Sequence, residues 1–84
     1  MKVEFHPDAL AEYEDAAHYY AECQPGLEVR FIAAVEHTLQ QISDAPESWR
    51  ILEEDVHWHL TRVFHYAALY TIEKDYVLII AVMH

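Results

Sequence analysis

The sequence predicts an α+β fold: an N-terminal strand, then an antiparallel helical hairpin packed on one face of a twisted, mainly antiparallel sheet, in the order β-α-α-β-β-β. Three observations carry this. Apolar residues recur every three or four positions from Leu10 to Ile42, they alternate from Val56 onward, and a polar stretch opened by Pro46 separates the two regimes.

Each element follows in order. Lys2-Val3-Glu4-Phe5 alternates polar and apolar, a short strand with Val3 and Phe5 inward. His6-Pro7-Asp8 starts a helix, because proline at the first helical position sacrifices no bond and Asp8 suits the positive end of the dipole. Leu10, Tyr13, Ala17 and Tyr20 form one stripe on a helix reaching about Cys23, with Glu12, Glu14, Asp15 and Glu22 largely off it. Gln24-Pro25-Gly26 breaks it. A second helix begins near Leu27, carries Ile32, Val35, Leu39 and Ile42 with Phe31 beside them, and ends near Asp44-Ala45-Pro46. So short a break predicts an antiparallel pair.

Residues 46–55 read as a polar connection. Val56, Trp58 and Leu60 are then expected to face inward, and His57, His59 and Thr61 outward. The next strand is placed from about Phe64 to Ile72, with Glu73-Lys74-Asp75 as a tight turn. The return strand, Tyr76 to Val82, is apolar on both faces. That predicts an interior position between the preceding strand and the N-terminal one.

Eighty-four residues make one domain, 1–84, and an apolar content of 54% is that of a globular chain. The net charge is −10, all of it within residues 1–55. Such a body repels phosphate and suits a basic protein partner. The lone Cys23 cannot form an internal disulfide, so a buried free thiol and a cytoplasmic location are expected. No apolar run is long enough to span a bilayer, so no membrane partner is expected.

Three stretches together resemble a known family: Val3-Glu4-Phe5-His6-Pro7 with Ala9, Glu12 and Ala16-Ala17-His18-Tyr19-Tyr20; Arg62-Val63-Phe64-His65-Tyr66; and Val77 to His84. In this order they resemble the RelE/ParE superfamily of toxins from type II toxin–antitoxin modules, the plasmid stabilization proteins. The resemblance covers essentially the whole chain. It implies a growth-inhibiting protein neutralised by a cognate antitoxin, with the ParE-like side favoured, whose members poison DNA gyrase. The alternative it leaves is a ribosome-dependent mRNA interferase of the RelE-like kind, or a non-toxic relic that only binds antitoxin. Two departures stand out. His65 and Ala67 replace the proline and arginine usual in the family, and the basic tail that typically follows the last histidine is not present after His84.

Arg62 is the leading candidate for target or partner contact, since an arginine leading into a strand offers a rigid fork to phosphate or carboxylate. Trp49, in the polar connection, and Tyr66 are the other contact candidates, whereas Trp58 is expected in the core. If the chain is an endoribonuclease, Arg62, His59 and His84 are the residues for phosphate contact and proton transfer. Phosphoryl chemistry needs preplaced cations, however, and only Arg62 and Lys74 lie in the sheet region. Binding is therefore expected rather than chemistry. His57 and His59 share a face but lack further ligands, so neither metal nor cofactor is expected. An apolar final strand is a template for pairing, which predicts a homodimer or a hetero-complex.

Overall fold

The computed structural model describes residues 1–84. Its elements are β1 (Lys2–Phe5), α1 (Pro7–Cys23), α2 (Leu27–Asp44), a single 3-10 turn (Pro46–Ser48), β2 (Arg50–Glu53), β3 (Val56–Leu60), β4 (Ala67–Ile72) and β5 (Tyr76–Met83). The five strands form one sheet in the order β1-β5-β4-β3-β2, and both helices lie on one face. Every strand pair is antiparallel except β1 with β5. The strand expected in the interior is there, with the neighbours its two apolar faces called for.

Local chemistry sets the helix ends. Pro7 opens α1, and the His6 imidazole Nδ1 accepts the Asp8 N–H at 3.1 Å. Gly26 at φ 88° takes the left-handed turn between the helices, a conformation that glycine adopts without steric cost. The buried face of α1 is centred on Ala9 and Ala16, with Tyr13, Ala17 and Tyr20 beside them. Leu10 is exposed. On α2 the buried set is Phe31, Val35, Thr38, Leu39 and Ile42, and Ile32 is exposed. Each helix is thus rotated slightly from its predicted stripe. Small alanines let α1 lie close to the sheet, and the larger apolar residues are displaced to the seam between the helices.

Phe31 is the hub of the core. Its ring centroid lies 4.9 Å from Tyr20, 5.1 Å from Tyr66, 5.3 Å from Phe64 and 6.0 Å from Tyr13. Three of these pairs are edge to face and the Tyr20 pair is tilted; aromatic pairs at such distances add about 0.5–1.5 kcal/mol each beyond their buried area. Tyr70 is fully buried, and its hydroxyl donates to the Pro46 carbonyl at 2.6 Å, which fastens the 3-10 turn to the sheet.

Four sequence expectations are corrected. The polar connection contains the short strand β2, whose four exposed residues gave no alternation to read. The faces of β3 are inverted: His57 stacks on buried Tyr70 at 5.2 Å, His59 bonds to Gln41 of α2, Thr61 is buried, and Trp58 and Leu60 lie on the opposite face. The strand placed from Phe64 begins only at Ala67, because Thr61 to Tyr66 closes a turn. There the Thr61 N–H donates to the Tyr66 carbonyl at 2.6 Å, and Val63 and His65 adopt positive φ. Cys23 is exposed, not buried, since it ends α1 beyond the sheet.

Candidate functional site

The register sets Leu60 opposite Ala67 and Ala67 opposite Met83, so the turn after β3 and the end of β5 meet at one end of the sheet. Four of the five candidate residues are distributed in two ring pairs there. Tyr66 and His84 meet edge to face at 5.2 Å. Trp49 and His59 stack at 3.7 Å. No hydrogen bond or ring contact joins the two pairs. Arg62, the fifth, is exposed in the 61–66 turn and makes no ion pair.

The Trp49–His59 pair is anchored from below. The Trp49 indole N–H donates to the Gln41 carbonyl at 3.2 Å, and His59 Nε2 lies 2.7 Å from the Gln41 side-chain oxygen. Burial, reinforced by nearby His37, holds the His59 pKa below the ordinary histidine value. The neutral ring therefore donates Nε2–H to Gln41, and the imidazole expected to move protons is committed to packing. Trp49, expected as a contact residue, is half-buried. Trp58 is flanked instead by Arg50, whose guanidinium carbon sits 5.5 Å from the ring centroid. No three His, Cys, Asp or Glu side chains are grouped so as to hold a metal ion. No helix is long and apolar enough to cross a membrane.

A second surface lies on the helical hairpin, lined mainly by residues that the sequence assigns to the buried stripes. Between α1 and α2, on the side away from the sheet, Leu10, Tyr13, Glu14, Ala17 and Ile32 line an open groove of about 250 Å³. Exposed Val29 lies one turn from Ile32 on the same helix. Acids border the seam: Glu14 lines it, and Glu36 accepts the Tyr13 hydroxyl at 3.0 Å. That bond and burial push the Tyr13 pKa far above the ordinary tyrosine value, burial contributing most. The available signal was an apolar stripe too wide for one buried face, since Leu10 and Ile32 add to the positions facing the sheet.

The end of β5 is partly satisfied. β1 pairs only with Tyr76 to Ile79. Beyond that point the Val82 N–H is accepted by the Glu12 carboxylate of α1 at 3.0 Å.

The chain matches the family model of the ParE toxin of type II toxin–antitoxin system, parDE, over residues 3–84. Among solved structures, the chromosomal ParDE TA system from P. aeruginosa superposes with a TM-score of 0.87, covering 100% of this chain and 95% of that chain. Sequence identity is 10%, so this likeness is one of fold. No curated protein matches the chain.

Proposed function

The chain belongs to the family of ParE toxins of type II toxin–antitoxin systems, and from that premise we propose that it arrests growth by binding an essential target, DNA gyrase, and is neutralised by a cognate antitoxin. The observation that carries the antitoxin half is the α1–α2 groove. An amphipathic helix laid into it would bury Leu10, Ala17 and Ile32 and meet acids at the rim. The antitoxin segment is accordingly apolar on one face and basic along its borders, and charge complementarity favours its encounter with this acidic chain.

Arg62 supports the target half. It is exposed, has no ion-pair partner, and lies in the same turn as Tyr66. A binding role asks only for such a presented fork. Message cleavage would ask for clustered cations, and Arg62 is the one arginine or lysine of its turn; of the two candidate histidines, His59 is engaged by Gln41 and Trp49.

The test is induced expression of the chain in a bacterium, with and without the adjacent open reading frame. Arrest relieved by the neighbour supports the proposal. A supercoiling assay with purified gyrase and a cleavage assay on ribosome-bound message then assign the target. Normal growth with folded protein present would leave antitoxin binding alone as the function.

A further inference from the structure

We propose that β2 is a self-association edge, pairing antiparallel with β2 of a second copy of this chain. β2 is the outermost strand of the sheet, and all four of its residues are exposed. Ile51 is 63% and Leu52 58% exposed, so the free edge carries two large apolar side chains side by side. An exposed edge is a pairing template that shortness, charge or a bulge ordinarily blunts; β2 has all three, and its charges and bulge are placed so that a second copy of the same strand is the partner they still admit.

The sequence of the strand, Arg50-Ile51-Leu52-Glu53, is self-complementary about its centre. A two-fold axis between Ile51 and Leu52 sets Arg50 of each copy opposite Glu53 of the other, with the bulged Ile51-Leu52 segment of each copy at the centre. Residues directly opposite must share a face of the sheet. In a regular strand, positions three apart point to opposite faces, and this pairing would be forbidden. Here it is allowed by a bulge. Arg50 pairs with Trp58 and Glu53 with Val56, so Leu52 is an extra residue. Trp58 and Val56 are two apart on β3 and share a face, which puts Arg50 and Glu53 on one face as well.

The charges are free for this use. Neither Arg50 nor Glu53 has an ion pair within the chain. Arg50 is also steadied, with its guanidinium over Trp58 at 5.5 Å, so its fork is partly fixed before a partner arrives. Four residues a side make a small contact, of the transient class below about 1,200 Å². Two bodies of net charge −10 also repel, so the association is weak and concentration-dependent.

Sedimentation velocity over a concentration series tests this, at about 0.15 M salt where screening acts beyond about 8 Å. The chain is expected to shift from monomer to dimer as concentration rises. R50E and E53R each place like charges opposite one another twice per dimer, and each should raise the midpoint about tenfold. R50E/E53R reverses the pair and should bring the midpoint back. Circular dichroism confirms that each variant is folded. A chain that stays monomeric throughout would overturn the proposal, as would single variants with unchanged association or a double variant that fails to recover. No residue of β2 lines the α1–α2 groove proposed for the antitoxin, so these outcomes are separable from that proposal.

Discussion

The carboxylate of Glu12 accepts the backbone N–H of Val82 across a separation of 70 residues, at 3.0 Å. A helix side chain therefore completes the ladder of β5 where β1 has ended. Glu12→Ala should lower stability by about 1 kcal/mol, and Glu12→Gln, which keeps an acceptor, by less. Urea unfolding of the three proteins measures the difference. Equal midpoints would mean that water replaces the carboxylate at no cost.

Tyr70→Phe removes the donor to the Pro46 carbonyl from a fully buried position. A loss of about 1–3 kcal/mol is expected. Burial also pushes the Tyr70 pKa up to about 12 from 10.0. Between those values the unfolded chain gives up the phenolic proton while the folded chain keeps it, so stability falls as pH rises through that window. The phenylalanine variant should show a shallower alkaline decline in thermal midpoint.

His59 acts in the opposite pH direction. Burial foremost, and then His37, lower its folded pKa below 6.5. As pH falls through 6.5 the unfolded state takes up a proton before the folded state does. Stability contributed by the neutral ring is fully present above that value and declines below it, down to the depressed folded pKa. His59→Gln should flatten the stability profile on the mildly acidic side. Parallel slopes for the two proteins would show that the ring is freely solvated.

Val63 holds φ 71° while 75% exposed. A β-branched residue there costs about 1–2 kcal/mol, and so exposed a side chain gains little from burial in return. Val63→Gly relieves the strain and loses some chain entropy, for a net gain below about 1 kcal/mol and a rise of a few degrees in Tm. A fall in Tm would show that the side chain has a contact role in this turn.

The same residue explains where the sequence misleads. Arg62-Val63-Phe64-His65-Tyr66 reads as strand because β-branched and aromatic residues favour extended backbone. Its turn is held by the Thr61–Tyr66 bonds and by Phe64 and Tyr66 packing on Phe31, all tertiary effects. The helices, the Glu73–Asp75 turn and the place of β5 were legible, since each rests on periodicity or a breaker. The inverted face of β3 was not. Tryptophan and leucine outrank histidine on any apolar scale, and only the Gln41 and Trp49 partners show why the imidazoles turn inward. Of the candidate residues, Arg62 is exposed and Trp49 half-buried, and the lining of the groove had to be seen in three dimensions.

Ile32 lines that groove and is exposed, so Ile32→Glu should leave the fold intact. It adds an acid where an antitoxin helix would bury apolar surface. Binding of the adjacent gene's product should weaken by about 1–3 kcal/mol, roughly ten- to a hundredfold in Kd. Calorimetric titration gives the value, and unchanged affinity would remove the groove from the antitoxin interface.

Trp49 and Trp58 are the chain's two tryptophans, and both belong to the corner where β2 meets β3. One indole lies against an imidazole and the other under a guanidinium. Intrinsic emission from this protein is therefore a local gauge of that corner, while far-ultraviolet dichroism is dominated by the helical pair at the other layer. Denaturation curves from the two signals, laid over one another, report whether the β2–β3 corner frays as a separate unit or melts with the whole domain.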